Sequence, residues 1–425
     1  MMPARKIVIL STSPFPYGNN ITDGPGYRAW NLFQEISKKH EVTILSLYES
    51  YHRNLKREST VLEDNYLIRC IPYSPKNVAK VVHDEKPDIL YTHWSATPFI
   101  GKLDLIIPTI VDYVGAGLLE RFASSGTIPD YLISLKMRSF WFGDFLMTAG
   151  LRERYYLIGL LVASKRLNTP NRRLSPSLIH LVPMNAPAFP AVSQKNVIER
   201  RSNELVILVA GAFLPWYDYS TLFEAFKILL KKGKTNFQCI FFGGNPRDPK
   251  FERLIVRMGH QPMLKDKLIF TGLVPFKERA SYYLQSDIAV NIPMKTVEDE
   301  LSVRTRVIDY IWARLPIVTP TNDEHSGMVV ANGGGFEYAS NDPYSLCDVL
   351  GELMSDNGSQ KIAKAKENMG EIYKRRLDIE DSMKPMVDFI NNPYVDPARS
   401  SPRQYLPEFL LLGRDALRWF KRGVV

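Results

Sequence analysis

The sequence from Glu298 to Thr319 reads EDELSVRTRVIDYIWARLPIVT. It begins with consecutive acids, continues with Arg304, Arg306 and Asp309, and ends in an apolar helical turn and a short strand. Carboxylates accept hydrogen bonds from sugar or ribose hydroxyls, and guanidinium groups bind diphosphate oxygens. A helix N-terminus adds partial positive charge at the same place. The pattern indicates a site for a ligand with hydroxyls and phosphates; the alternative is a solvated charged loop before an amphipathic helix.

This stretch resembles the donor-site region of family-4 glycosyltransferases, some of which carry the motif Ser-Phe-Arg-Thr-Arg-x-x-Asp-Tyr. The chain matches that motif in order at Ser302, Arg304, Thr305, Arg306, Asp309 and Tyr310. Val303 replaces the aromatic residue, and Arg314 stands where the family usually has glycine. A glycine at this place often ends the helix. An arginine there could therefore change the geometry of the turn or restrict access of the donor.

Length and composition are compatible with a two-domain enzyme. The chain has 425 residues, of which 45% are apolar, enough for two cores. Its three cysteines have an odd count and no metal-binding spacing, which predicts a reducing compartment. The first apolar run is too short for a signal peptide, and no run is long enough to span a bilayer. The net charge of +9 favours anionic partners, such as nucleotide sugars or lipid phosphates, without indicating nucleic acid.

Strand-like runs alternate with helical stretches in both halves of the chain, which predicts an α/β fold with parallel sheets. A proline-rich connector at residues 182–190 separates the halves. The family resemblance implies the GT-B arrangement, in which two Rossmann-like, doubly wound domains face a central cleft. We therefore predict an N-terminal acceptor domain over residues 1–185, a C-terminal nucleotide-sugar donor domain over 186–392, and a linker with a helix over 393–425.

Two segments of the first half carry candidate site residues. A glycine turn opens a helix at Gly24, Gly26 and Arg28, where backbone amides could approach a phosphate. In the family, the corresponding loop lies beneath the donor diphosphate or beside the acceptor. Asp112 follows an apolar strand, at the sheet edge where ligands bind, and its carboxylate could bind a donor or acceptor hydroxyl. An ordinary turn and a capping aspartate are the alternatives, and His93 is a weaker candidate at another strand end.

The second half carries the predicted donor contacts. The resemblance places the loop with Gly211, Trp216 and Asp218 opposite the donor, and assigns donor contacts to three residues at later strand ends: Gly243, Gly244 and Val274. Many family members have an arginine and a lysine after this first strand, but no cation occurs between Gly211 and Glu224. Arg304 and Arg306 are therefore the predicted diphosphate ligands.

The acids of the opening stretch complete the predicted site. By resemblance, Glu298 binds the donor sugar and Asp309, at the start of the helix, binds the ribose. Glu300 is the rival of Glu298, because the acidic run leaves the register open by two residues. The residues predicted to take part in catalysis are Glu298, Arg304, Arg306 and Asp112.

No Ser-His-Asp set, His-Glu-x-x-His motif or cysteine cluster is evident in the sequence, which argues against hydrolysis. The resemblance implies a retaining, hexosyltransferase-like enzyme that needs no cofactor and no metal, with catalysis by positioning and charge stabilisation. The predicted reaction moves a sugar from a nucleotide-diphosphate donor to a glycan or lipid-linked acceptor in surface polysaccharide synthesis. A non-catalytic GT-B-like subunit that binds a glycan or a partner enzyme is the first alternative. A nucleotide-sugar oxidoreductase is disfavoured, because Gly-x-Gly-x-x-Gly is missing.

The C-terminal segment 405–424 has apolar residues at helical spacing beside a basic flank. Such a helix fits an anionic membrane surface, whereas a helix that packs on the fold is the alternative. Together with the cysteine count, the short first apolar run and the positive net charge, this segment predicts a cytoplasmic protein at the inner face of a membrane.

Overall fold

The structure is a computed structural model that describes residues 3–18, 20–48, 58–63, 65–101, 103, 106–167, 178–187, 189–201, 203–245, 248–376 and 379–400. The described residues fall into two compact units. The first takes its residues from 1–118, 127–184 and 379–400, and the second from 119–126 and 185–376. The predicted tail helix at 405–424 lies outside the described residues.

Each unit is built on one sheet. The strands of the first unit are β1 (Lys6–Ser11), β2 (Glu41–Ser46), β3 (Ser59–Glu63), β4 (Tyr66–Cys70), β5 (Ile89–His93), β6 (Thr109–Asp112), β7 (Phe145–Thr148) and β8 (Ile179–Leu181). Those of the second are β9 (Leu205–Ala210), β10 (Phe237–Phe242), β11 (Leu268–Gly272), β12 (Ile288–Val290), β13 (Ile317–Thr319) and β14 (Gly335–Glu337).

Helices connect most of these strands. In chain order they are α1 (Gly24–Ile36), α2 (Pro75–Glu85), α3 (Thr97–Ile100), α4 (Gly117–Ser125), α5 (Asp130–Ser139), α6 (Leu151–Ala163), α7 (Tyr219–Lys231), α8 (Pro249–Gly259), α9 (Arg279–Gln285), α10 (Val297–Leu301), α11 (Thr305–Trp312), α12 (Glu324–Ala331), α13 (Pro343–Leu353), α14 (Gly358–Arg376) and α15 (Ile379–Asn391).

Both sheets are doubly wound. The first has the order β3-β4-β2-β1-β5-β6-β7-β8, and the second the order β11-β10-β9-β12-β13-β14. The recorded pairings are parallel except for β3 with β4, a hairpin that the sequence prediction did not include. Central strands such as β5 and β9 are mainly apolar and almost entirely buried, as expected when helices cover both faces of a parallel sheet. The predicted α/β class with two Rossmann-like sheets is confirmed.

The last helix of the described chain, α15, belongs to the first unit. Its residues Met383, Met386, Phe389 and Ile390 are buried in the core that also holds β1, β5 and α1. The boundary predicted at residue 392 places this helix with the second domain instead. Helical periodicity shows that α15 has an apolar face, but it does not show which core that face joins. In the described residues, no helix is both long and apolar enough to cross a membrane.

Candidate functional site

Arg304 is the centre of a buried ionic cluster in the second unit. Its Nη2 lies 2.7 Å from Glu298 Oε2 and 2.8 Å from Asp299 Oδ1, and its Nη1 lies 3.1 Å from Glu298 Oε1. Thr296 caps α10, so that Glu298 and Asp299 in its first turn point inward. The guanidinium of Arg304 is thus bound by two carboxylates of the protein itself. The prediction that Arg304 binds a diphosphate receives no support from this geometry.

Within the acidic run, Glu298 and Asp299 point inward and Glu300 points outward. Glu298 also accepts a hydrogen bond from Ser302 Oγ at 2.7 Å, so its carboxylate already has three donor contacts. Glu300, the rival candidate, is exposed. Burial raises the pKa of Asp299 to about 6, although the charge of Arg304 opposes this shift. Glu298 and Asp299 therefore neutralise Arg304, and the sugar-binding role predicted for Glu298 stays a prediction.

Arg306 is placed differently from Arg304. It is half-buried, its Nη2 donates to the carbonyl of Ala212 at 3.3 Å, and its guanidinium carbon lies 4.0 Å from the ring centroid of Tyr217. No carboxylate of the described residues forms an ion pair with it. A cation stacked on an aromatic ring keeps its in-plane N–H groups available. Of the two predicted arginines, Arg306 is the one that could bind an anion.

Two predicted glycines form the backbone beside Arg306. Gly211 follows β9 with φ +98°, and Gly243 follows β10 with φ +142°. A Cβ on Gly243 would lie 1.9 Å from the Gly211 carbonyl oxygen, and a Cβ on Gly211 would lie 3.1 Å from Arg306 Nη2. Glycine is required here because two strand ends and a guanidinium meet without room for side chains. The structure thus brings Gly211, Gly243 and Arg306 together.

The other predicted residues of the second unit have structural contacts. Asp218 caps α7 and accepts hydrogen bonds from Thr221, Ser220 and Asn341. Burial acts to raise the pKa of Asp218, but these donors hold it below its usual value. The carbonyl of Trp216 accepts from the amide of Met294 at 2.9 Å. Asp218 thus has a structural role as a helix cap, and its predicted donor contact stays a prediction.

Gly244 and Val274 also lie at strand ends. Gly244 lies beside the carboxylate of Glu252, since a Cβ on it would be 3.0 Å from Oε1. Val274 is partly buried in the loop after β11. The donor roles of both residues stay predictions.

Asp309 lies in the second turn of α11 rather than at its start. Its Oδ2 accepts a hydrogen bond from the Tyr283 hydroxyl at 2.9 Å and lies 3.4 Å from Arg279 Nε. Arg279 is itself stacked 3.5 Å from the ring centroid of Phe276. Asp309 thus joins α11 to α9. A ribose hydroxyl bound to Asp309, as predicted, would have to share its carboxylate with Tyr283 and Arg279.

Arg314 lies two residues after α11, in the left-handed region of backbone conformation, with φ +54°. Its amide donates to the carbonyl of Ile311, and the amide of Leu315 donates to that of Tyr310. Its side chain is exposed. Arg314 therefore has the backbone conformation that a glycine would adopt in this turn. Because arginine has a Cβ, this conformation is strained.

The first unit contains a second polar cluster. Arg28 on α1 donates from Nε to Asp112 Oδ2 at 2.7 Å and from Nη2 to the Val182 carbonyl at 2.6 Å. The Tyr91 hydroxyl donates to the same Asp112 oxygen at 2.7 Å. Arg28 and Asp112 are almost fully buried. The structure therefore joins two predicted site residues in one ion pair.

Several atoms of this cluster have no partner. Arg28 Nη1, Asp112 Oδ1 and both ring nitrogens of His93 are buried without a hydrogen bond among the described residues. Burial lowers the pKa of His93, so its ring is neutral near neutral pH. Unpaired buried polar atoms indicate a missing polar partner, such as water or a ligand hydroxyl. The hydroxyl-binding role of Asp112 is compatible with this arrangement and stays a prediction.

The glycine turn before α1 is closed by its own side chains. Asp23 caps the helix and accepts from the amide of Gly26 at 3.0 Å. A Cβ on Gly26 would lie 2.0 Å from the carbonyl oxygen of Pro14, so glycine is needed for packing. Gly24 is the first residue of α1. An anion at this helix end would compete with the Asp23 carboxylate, which weakens the predicted phosphate contact.

Sequence reasoning did not identify Tyr91, Tyr217, Tyr283 or Arg279 as partners of site residues. Tyr91 precedes His93 by two residues on β5, so strand alternation could have placed both on one face. Tyr217 lies inside the quoted Trp-Tyr-Asp loop. Nothing in the local sequence marks Tyr283 and Arg279, because their link to Asp309 exists only once α9 packs beside α11.

Solved structures show where this fold occurs. Sucrose-phosphate synthase from Thermosynechococcus elongatus has a TM-score of 0.68 at 12% identity, with 91% of this chain and 98% of that chain covered. HepE from Anabaena, in complex with UDP and glucose, has a TM-score of 0.64 at 14% identity, with 91% and 100% covered. WaaG, a glycosyltransferase involved in lipopolysaccharide biosynthesis, has a TM-score of 0.61 at 12% identity, with 91% and 100% covered. These likenesses establish a shared fold.

The two doubly wound units have the fold of the GT-B glycosyltransferases. By sequence, residues 193–375 match the family model of the glycosyl transferases group 1. No curated protein matches the chain by sequence. The predicted resemblance to GT-B glycosyltransferases is confirmed.

Proposed function

We propose that this protein transfers a sugar from a nucleotide-diphosphate donor to a glycan or lipid-linked acceptor. The observation that carries the proposal is Arg306. It lies against Gly211 and on the Tyr217 ring, with no carboxylate partner in the described part of the chain, inside the domain that matches the glycosyltransferase family. A guanidinium beside glycine turns is suited to diphosphate oxygens. The UDP in the HepE structure, a protein of similar fold, supports this class of donor.

Within this proposal, the two arginines have different tasks. Arg306 neutralises the departing diphosphate, and Arg304 holds the loop before α11 through Glu298 and Asp299. Catalysis then rests on positioning and charge stabilisation. We further propose retention of the anomeric configuration, with the leaving phosphate accepting the proton of the acceptor hydroxyl. This mechanism needs no resident metal or cofactor.

Surface polysaccharide synthesis at the inner face of a membrane is the context that we propose. WaaG, which has a similar fold, is described as involved in lipopolysaccharide biosynthesis. The basic segment 405–424 would supply attraction to anionic lipid headgroups. Sedimentation with anionic liposomes, for the full chain and for a chain ending at residue 402, tests this contact. Equal sedimentation of both would contradict it.

Donor screening tests the proposed reaction. Thermal unfolding is measured with UDP-, GDP-, dTDP- and CMP-sugars, since a ligand that binds the folded state raises the midpoint by mass action. Arg306→Ala should abolish the shift. Arg253→Ala, which removes an exposed arginine of α8, is the matched control and should retain it. If no donor shifts the midpoint of the wild type, the proposal fails.

A non-catalytic GT-B-like subunit is the second candidate. It is favoured by the internal ion pairs of Arg304 and Asp309, which occupy two of the predicted donor contacts. Release of free nucleotide from the best donor, followed with a mixture of glycan acceptors, separates the two functions. Donor binding without turnover would support the binding subunit.

A further inference from the structure

A groove on the first unit lies between α15 and the edge strand β8, apart from the Arg28–Asp112 pair. Its volume is about 570 Å³. Its lining includes His180, Lys384, Asp388, Phe389, Asn392 and Tyr394. The groove thus combines aromatic rings with hydrogen-bonding groups, and no step of the proposed transfer uses these residues.

The aromatic part of the groove is rigidly built. The His180 ring stacks on Phe145 with centroids 4.0 Å apart and an interplanar angle of 6°, and Phe145 itself is buried. Tyr394 meets Phe389 edge to face at 5.1 Å and remains 48% exposed. The exposed ring of Tyr394 is therefore held in place by a core residue. Such a ring offers a flat apolar surface with a polar edge.

The polar part of the groove is neutral as a whole. Lys384 and Asp388 lie one turn apart on α15 and form an exposed ion pair of 3.2 Å, and Asn392 follows one turn later. His180 Nε2 is buried and has no hydrogen-bond partner among the described residues. Burial lowers the pKa of His180 to about 4, so that the imidazole is uncharged at neutral pH. The groove therefore offers donors and acceptors without net charge.

This combination selects one class of ligand. A phosphorylated ligand would need an excess of positive charge, whereas Lys384 is balanced here by Asp388. A lipid chain would leave the carboxylate and amide groups of the rim unmatched. A sugar ring has apolar C–H faces that stack on aromatic rings, and hydroxyls that pair with carboxylate, amide and imidazole groups. Concave sites with aromatic walls and a few polar groups are typical of small-molecule binding.

The groove has a fixed relationship to Asp112. In the sheet, Asp112 pairs in register with Met147, and Met147 pairs with His180. Paired residues on adjacent strands point to the same face, so His180 lies about 10 Å from Asp112, two interstrand spacings along one row. Met147 lies between them and is fully buried, so the groove is separate from the Arg28–Asp112 pair. A sugar in the groove is therefore a different unit of the acceptor from one bound at that pair.

We propose that the α15–β8 groove is a saccharide subsite that holds a sugar unit of the acceptor. The inference rests on the proposed glycosyltransferase function, because it supplies a second contact for the acceptor of that reaction. Stacking on Tyr394 and hydrogen bonds to Asp388 and Asn392 provide the recognition. The subsite does not contact the donor diphosphate.

Saturation-transfer NMR on the full chain tests the subsite, with free glucose, galactose, mannose, rhamnose and N-acetylglucosamine as probes. At least one sugar should receive saturation from the wild type. Tyr394→Ala and Asp388→Asn should each weaken its binding roughly tenfold, the scale of one lost contact to a charged or aromatic group. Tyr394→Phe, which retains the ring, should keep most of the binding.

Tyr344→Ala is the matched control, because it removes an exposed tyrosine of the second unit and should change nothing. Circular dichroism establishes that each variant is folded. The subsite is refuted if none of the sugars receives saturation, or if binding is unchanged in both groove variants. A monomer–dimer equilibrium that Tyr394→Ala abolishes, without an effect on sugars, would also refute it. Nucleotide-sugar titration of the wild type reports on the donor site separately, so failure of the subsite is distinguishable from failure of the proposed function.

Discussion

Arg304 and Glu298 form a buried, two-point ion pair, with Nη2–Oε2 and Nη1–Oε1 separations of 2.7 and 3.1 Å. Asp299 Oδ1 contacts the same guanidinium at 2.8 Å. The motif that suggested two diphosphate ligands thus contains one arginine that holds the loop and another that lies on the Tyr217 ring. The pair fixes the chain before α11, and through it the position of Arg306.

The first prediction concerns Arg304. Arg304→Ala leaves Glu298 and Asp299 buried without their cation, and such a change typically costs about 3–5 kcal/mol of unfolding free energy. Urea unfolding followed by circular dichroism measures the loss. Arg304→Lys keeps the charge but lacks the planar fork, so its loss should be smaller. Stability equal to the wild type in Arg304→Ala would show that the cluster is not maintained in solution.

Arg306→Ala should weaken donor binding with little loss of stability, whereas Arg304→Ala should mainly lower stability. The side chain is half-buried and has one weak hydrogen bond, so unfolding free energy should change little. Donor affinity should fall by about 1.5–3 kcal/mol, the scale of a hydrogen bond to a charged group. Calorimetric titration with the donor found by thermal screening measures the affinity. Unchanged affinity in this variant would assign the diphosphate to another residue.

His180 should make the stability of the protein depend on pH. Its pKa is lowered by burial to about 4, from 6.5 in the unfolded chain. Between these values the unfolded state binds the extra proton, so the unfolding free energy falls as pH falls from about 6.5 to 4, by up to about 3 kcal/mol, and this contribution is fully present above pH 6.5.

The measurement is urea unfolding at several pH values for the wild type and His180→Gln. The difference between the two curves isolates the histidine from the carboxylates that titrate in the same range. His83→Gln, which replaces an exposed histidine, should follow the wild type at each pH. A pH-independent difference between wild type and His180→Gln would contradict the buried, neutral imidazole.

Arg314→Gly should stabilise the protein. Arg314 has φ +54°, a conformation that costs a residue with a Cβ about 1–2 kcal/mol. Glycine removes this strain but loses more backbone entropy on folding, so a net gain of about 0.5–1 kcal/mol is expected. Arg314→Ala is the matched control, because it removes the charge and keeps the strain. Equal thermal midpoints of the glycine and alanine variants would contradict the argument.

Gly243→Ala should be strongly destabilising. The new Cβ would lie 1.9 Å from the Gly211 carbonyl oxygen at φ +142°, so the two strand ends must separate. We expect a loss of about 2–3 kcal/mol or more, the range for backbone strain combined with overpacking. Gly159→Ala is the control: this glycine lies within α6, has open space around it, and should gain about 0.5–1 kcal/mol. Similar effects of both substitutions would refute the close approach of Gly211 and Gly243.

The local pattern of the sequence determined the secondary structure, the parallel sheets and the glycine turns. Apolar runs separated by helical periodicity predict doubly wound sheets, since both faces of each sheet must be covered. Gly211 and Gly243 were identifiable because glycine after a strand indicates an unusual backbone turn. The motif at 302–310 also singled out Arg306 as a candidate residue, and its role stays a prediction.

Tertiary structure alone decided which charges are used inside the protein. Arg304 and Arg306 are two residues apart and chemically identical, yet one faces Glu298 and Asp299 while the other faces Gly211 and the Tyr217 ring. That difference depends on where α10 ends and α11 begins. The pairing of Arg28 with Asp112 likewise requires α1 to pack over β6. Sequence specifies which charges exist, but their free energies depend on burial and on partners distant in the chain, which only the folded chain brings together.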